Sequence, residues 1–180
     1  MNNKEGIIDY IDKSIDCLEK LKSKTGQIKK VIDILQKAKE NKNKVFLIGN
    51  GGSAATASHL ICDLSKMKKM KAFALTDSIP LITAWSNDEN YSVIFKEQLK
   101  TLAEKNDVVI GISGSGNSKN VIDAIKFAKS IGCKTIGLAG YDGGVLKDVA
   151  NECIVVEIDN MQISEDIHLI LGHMIAVLIK

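Results

Sequence analysis

Aromatic side chains are scarce in this chain, at 4% of residues, with one Trp, three Tyr and four Phe. That excludes an aromatic surface for stacking bases and an aromatic platform for sugars. Charge of one sign is missing too. The formal net charge of +2 is too small for the electrostatic footprint of a nucleic-acid binder, so no direct nucleic-acid partner is expected. Lys66, Lys68, Lys69 and Lys71 cluster, and read as a solvated loop edge. No apolar run approaches the roughly 20 residues of a membrane span, so no membrane partner is expected. The four cysteines, Cys17, Cys62, Cys133 and Cys153, lie far apart. Without a CxxC pair they do not form a thiolate zinc site. Cys133 and Cys153 sit among apolar residues and read as small buried hydrophobes. The polar, mixed-charge N-terminus shows no signal peptide, which points to a cytoplasmic protein. The one proline, Pro80, falls in the first turn of a helical run, where its missing N–H is tolerated.

What is present is an ordinary globular balance of 45% hydrophobic and 26% charged residues over 180 positions. That is one domain with a full core. Residues 1–43 read as an N-terminal helical extension. Ile7, Ile8, Ile11, Ile15, Leu18 and Leu21 recur at three- and four-residue spacing. Thr25-Gly26 interrupts, and Ile28, Val31, Ile32, Leu35 and Ala38 repeat the pattern. The first helix has little in the chain to cover its apolar stripe, so packing on another subunit is expected. From residue 44 to 180 the period changes. Apolar runs at Val45–Ile48, Ala72–Leu75, Val108–Ile112, Thr135–Leu138 and Ile154–Ile158 alternate with helical segments near 53–66, 79–103, 117–131, 143–150 and 163–180. This predicts an α/β three-layer sandwich around a five-stranded parallel sheet flanked by helices.

Ligands of such sheets bind at the carboxyl ends of the strands. The first such turn, Gly49-Asn50-Gly51-Gly52-Ser53, leads from an apolar run into a helix. Its glycines let the backbone bend and approach a ligand. The helix start offers free N–H groups and a positive dipole end to an anion, plausibly a phosphate. The third turn, Ser113-Gly114-Ser115-Gly116-Asn117-Ser118, brings three hydroxyls and two glycines to an equivalent junction. Neither turn has the Gly-Lys-Ser/Thr of a P-loop or a dinucleotide fingerprint. Good turns with helix caps would look similar singly. Two of them on one sheet point to a phosphate cradle.

Two constellations follow. His59 and Asp63 are four apart on a predicted helix and share a face, which suits a divalent metal. A surface His and Asp would give the same spacing. The last helix carries Glu165, Asp166, His168 and His173 in an apolar segment that is expected to be buried. A histidine there needs a partner.

The two glycine turns, with Ser86-Asn87-Asp88, Gly140-Tyr141-Asp142-Gly143-Gly144 and the final helix, resemble the sugar isomerase (SIS) family, and within it the phosphoheptose isomerases. The resemblance implies a single SIS domain and a homotetramer assembled through the N-terminal helices. It implies interconversion of sedoheptulose 7-phosphate and D-glycero-D-manno-heptose 7-phosphate through an enediol. It implies a zinc ion, one per subunit, on His59, Asp63, Glu165 and His173, with Asp63 and His173 in acid–base work. Substrate contacts are expected from Asn50, Gly51, Gly52, Ser53, Asp63, Asn87, Asp88, Ser113, Gly114, Ser115, Ser118 and Glu165. The chain departs from the family's usual residues at Asp63 for Glu, Glu165 for Gln and Gly114 for Thr. Glu165 and His173 are eight apart, about 12 Å of helical rise. Both reach one metal only if the helix begins late or if different subunits contribute. Some close relatives are not isomerases and bind the replication initiator DnaA. A DnaA-associating binding protein, or an isomerase or sensor for another sugar phosphate, are the alternative expectations.

Overall fold

Each apolar run becomes a strand in the computed structural model, which describes residues 2–180. The strands are β1 (Lys44–Gly49), β2 (Lys71–Ala74), β3 (Val108–Ser113), β4 (Lys134–Gly140) and β5 (Glu152–Val156). They form one sheet in the order β2-β1-β3-β4-β5, with every pair parallel. Parallel strands are covered on both faces, so alternate side chains enter different cores. Val45, Leu47, Val108 and Ile110 join one core, while Phe46, Ile48 and Val109 join the other. The first core is closed by α1 (Asn3–Leu21), α2 (Thr25–Glu40), α3 (Gly52–Cys62) and α8 (Met161–Leu178). The second is closed mainly by α5 (Ile94–Leu102), α6 (Lys119–Ser130) and α7 (Leu146–Val149), with α4 (Ile79–Asp88) at its margin.

The chain order reverses between β1 and β3, the switch point at which doubly wound sheets open a crevice. The β1–β3 register pairs Gly49 with Ile112. The two glycine turns therefore leave the sheet as neighbours on that crevice.

The structure differs from the sequence reading in four places. The break after the first helix is a 3-10 turn at Lys22–Lys24, and Gly26 is helical. Ser23 Oγ donates to the Lys20 carbonyl at 2.7 Å, which competes with the helix ladder there. The segment 79–103 is two helices, not one. Asn90 Oδ1 accepts the Ser92 N–H at 3.0 Å, an Asx turn that ends α4 without glycine or proline. Beyond Cys62 the helix widens into a π turn, Asp63–Met67, in which the Lys68 N–H reaches the Asp63 carbonyl at 3.2 Å. Finally, α2 is part of the core, with Ile28, Val31, Leu35 and Ala38 all buried.

Helix α1 keeps an uncovered stripe, with Ile7 61%, Ile8 50%, Ile11 52% and Ile15 51% exposed. It is tied to α8 by Tyr10, whose hydroxyl donates to Asp166 at 2.5 Å. Helices α3 and α8 run parallel, with Gly52 beside Glu165 and Leu60 beside Gly172. A Cβ at Gly172 would stand 2.3 Å from Leu60 Cδ2. Gly172→Ala is therefore expected to overpack this seam and lower stability by about 1–3 kcal/mol, measured by urea denaturation.

Candidate active site

The second glycine turn is braced from two sides. Gly116, at φ +65°, lets the chain reverse where a Cβ would lie 2.1 Å from the Gly143 carbonyl oxygen. Ser113 Oγ donates to Ser118 Oγ at 3.0 Å across the turn, and Ser115 Oγ accepts the Asn117 N–H at 3.2 Å. The loop after β4 closes the outer side. The Gly140 N–H reaches the Gly114 carbonyl at 2.7 Å, the Leu146 N–H reaches the Gly116 carbonyl at 2.9 Å, and the Val145 N–H reaches Asn117 Oδ1 at 3.1 Å. These bonds fix the hydroxyls in place before any ligand arrives.

The first glycine turn is locked to the second by an amide pair. Asn50 Nδ2 donates to Asn120 Oδ1 at 2.9 Å, and Asn120 Nδ2 donates back to Asn50 Oδ1 at 2.8 Å. The Tyr91 hydroxyl also donates to Asn50 Oδ1, at 2.9 Å. Gly51, at φ +54°, begins α3 without a side-chain cap, and Ser53 is buried on that helix. The N–H groups at the start of α3 therefore face the crevice with the positive end of the helix dipole. Asn87 donates to Asp88 at 2.9 Å at the exposed end of α4, one short loop before Tyr91.

Three of the four expected metal ligands meet within one chain. Atoms of His59, Asp63 and His173 all lie within 4.8 Å of one another. His59 Nε2 is 2.8 Å from His173 Nε2, and His173 Nε2 is 3.7 Å from Asp63 Oδ2. Two imidazoles and a carboxylate are a donor set that suits a divalent metal such as zinc. Asp63 joins the cluster from the first residue of the π turn.

Glu165 does not join that cluster within one chain. Its carboxylate presses on the first residue of α3, where a Cβ on Gly52 would lie 2.2 Å from Glu165 Oε2. A carboxylate there complements the helix dipole. Met161, at the start of α8, presses on Gly114 in the same way, with Sδ 2.2 Å from a Cβ built there.

The expectation that His173 is buried is corrected. Its side chain is 46% exposed, and Val177 and Leu178 beyond it are exposed as well. Helix α8 buries one face, through Ile163, Ile167, His168, Leu171 and Ile175, and His173 lies off that face. His168 is the buried histidine. It is fully covered, and neither ring nitrogen makes a hydrogen bond. Burial pushes its pKa down to about 4, and the nearby Ala139 backbone, which does not reach hydrogen-bond geometry, offsets only part of that. It is held as a neutral ring and is not part of the metal cluster.

Sequence reasoning did not pick out Asn120 or Tyr91 as site residues. Asn120 was legible only as part of a helix start. Its partner Asn50 is 70 positions away and becomes a neighbour through the strand order. Tyr141 also lies at this edge, as a non-glycine residue at φ +50°, a conformation that costs about 1–2 kcal/mol.

A phosphate cradle at a β1/β3 switch point, beside a cluster of two histidines and a carboxylate, places the chain in a class of sugar-phosphate proteins. A family model for the SIS domain matches residues 9–140, and the chain belongs to that family. Within it the chain belongs with the phosphoheptose isomerases. It is 46% identical over 160 residues to the probable phosphoheptose isomerase of Thermoplasma acidophilum, covering 84% of this chain and 88% of that one. Among solved structures, phosphoheptose isomerase GmhA from Neisseria gonorrhoeae superposes with a TM-score of 0.95 at 28% identity, over 99% of this chain and 98% of that one. A phosphoheptose isomerase from Francisella tularensis matches with a TM-score of 0.93 at 29% identity, over 99% of this chain and 98% of that one. These relatives favour an isomerase over the DnaA-associating alternative.

The neutral His168 has a measurable signature. Its folded pKa lies below the unfolded value, so the unfolded chain binds the extra proton first as pH falls. Its contribution is intact above about pH 6.5 and is lost as pH falls toward 4. His168→Leu removes this linkage. The stability of the variant relative to wild type is expected to rise by about 3 kcal/mol between pH 7 and pH 4, read from urea midpoints at each pH.

Proposed function

We propose that the chain is an aldose–ketose isomerase that converts sedoheptulose 7-phosphate to D-glycero-D-manno-heptose 7-phosphate. The observation that carries the reading is that His59 and Asp63, two and three turns beyond the start of α3 at the phosphate cradle, meet His173 of α8. Isomerisation needs one group to take a proton from carbon and another to return one across the enediol. Asp63 and His173 are a carboxylate and an imidazole 3.7 Å apart, suited to that exchange.

Ser53, Ser113, Ser115 and Ser118, with the backbone of Gly51, Gly52 and Gly114, hold the phosphate. Asn50 orients the first turn, and Asn87 and Asp88 contact the sugar. His59, Asp63 and His173 would hold a zinc ion, which would supply polarisation of the substrate's carbonyl when bound. In its own chain Glu165 serves the substrate end of α3. Were Glu165 also a metal ligand, it would have to come from a neighbouring subunit, since in its own chain it lies against Gly52. The exposed stripe on α1 supports a homotetramer, in which those isoleucines are covered. No described helix is long and apolar enough to cross a membrane, which fits the cytoplasmic location proposed for the enzyme.

Turnover of sedoheptulose 7-phosphate is the direct test. The zinc-loaded protein is expected to turn it over, to lose activity on chelation and to regain it with zinc. His173→Ala is expected to lower kcat by at least about 100-fold. The side chain is half-exposed, so its melting temperature should stay close to wild type. Full turnover in His173→Ala would remove the acid–base assignment. Ser118→Ala is expected to raise KM about tenfold with kcat unchanged, because the phosphate contact is the same in the ground and transition states. A thermal-shift screen of C5, C6 and C7 sugar phosphates tests the choice of sugar.

A further inference from the structure

The loop Gly140-Tyr141-Asp142-Gly143-Gly144 braces the cradle, but bracing does not account for the residue at 141. Tyr141 holds φ +50°, flanked by glycine on one side and two residues from glycine on the other. A glycine would adopt that backbone without strain. The loop's bonds to the cradle run through the Gly140 N–H, the Val145 N–H and the Leu146 N–H, and none uses the Tyr141 side chain. The strained backbone therefore presents a side chain that the brace does not need. Residues kept in such conformations cluster at ligand-binding sites.

Tyr141 is half-buried and lines a cleft of about 560 Å³ beside the second glycine turn. The other polar side chains of that cleft are Ser115, Asn117, Asp142, Glu157 and Asp159. Three of these are carboxylates, which are hydrogen-bond acceptors and do not attract an anion. The side chains able to donate to a phosphate oxygen are those of Ser115, Asn117 and Tyr141. One of the two Asn117 amide hydrogens is already engaged, since Nδ2 donates to the Ser115 carbonyl at 3.1 Å, and Oδ1 accepts the Val145 N–H. The Tyr141 phenol adds a further neutral donor beside Ser115 and Asn117, from the opposite loop.

We infer that Tyr141 is a substrate-binding residue, whose hydroxyl donates to the phosphate end of the bound sugar phosphate from the outer wall of the cradle. This rests on the isomerase reading above. A contact at the phosphate end is made equally in the ground and transition states, so it acts on KM and leaves kcat alone.

The test compares Tyr141→Phe and Tyr141→Gly with wild type. Both are expected to raise KM for sedoheptulose 7-phosphate about tenfold, with kcat within twofold of wild type. Tyr141→Gly relieves the positive φ, so its melting temperature should equal or exceed that of wild type. A KM unchanged in Tyr141→Phe overturns the inference, as does a fall in kcat and melting temperature together in Tyr141→Gly. Calorimetric titration with inorganic phosphate separates this inference from the one it rests on. If wild type turns over no sugar phosphate, the isomerase reading fails. A tenfold weaker phosphate affinity in Tyr141→Phe would then still support the donor. Equal affinities, or no phosphate binding by wild type, would overturn it.

Discussion

The parallel ladder between β1 and β3 is the constraint on which the site depends. It pairs Gly49 with Ile112, so two turns separated by some sixty residues leave the sheet side by side. Shifting that register by one residue would flip Val45 and Leu47 out of one core and Phe46 and Ile48 out of the other. The cores therefore hold the register, and the register holds the cradle. The reciprocal Asn50–Asn120 pair then removes the remaining freedom between the two turns. A ligand meets hydroxyls and N–H groups that are already placed, so little ordering entropy is lost when it binds.

The second organising contact is the parallel packing of α3 on α8. Antiparallel helices would oppose their dipoles. Here both positive ends sit at the same edge of the sheet as the two glycine turns, a placement that favours an anion. The close approach at Gly172 and Leu60 brings His59 against His173 farther along. Glu165 settles against the start of α3, so part of the positive field is met by the protein's own carboxylate. The same seam thus carries two helix N-termini at one end and, two to three turns on, the cluster of His59, Asp63 and His173. That spacing suits a substrate with its phosphate and its carbonyl at opposite ends of an open carbon chain.

Much of this was legible in the sequence, for physical reasons. The strands were unbroken apolar runs because both faces are covered, and the two serine-glycine turns announced themselves by composition. The His59–Asp63 pairing followed from helical period alone. The errors have causes too. His173 was expected to be buried because its neighbours are apolar, but α8 buries one face only, and Ile170, Val177 and Leu178 lie outside it. Phase along the helix decided the matter, and it chose His168 for the core. The break at Asn90 used a side-chain hydrogen bond, where a glycine or proline would have been visible. Asn120, Tyr91 and the strained Tyr141 gain meaning only from the strand order, which no local pattern encodes.

The contact between Gly114 and Met161 carries a consequence for how such sequences can vary. A side chain at 114 would add an atom within 2.2 Å of the Met161 sulfur, and Met161 would have to swing into the cleft that it lines. The two positions therefore cannot drift independently. A lineage that gains a hydroxyl at 114 narrows its own cleft unless 161 shrinks in step. One that keeps glycine at 114 is free to hold a long side chain at 161. In an alignment, these two columns, 47 residues apart, should change together.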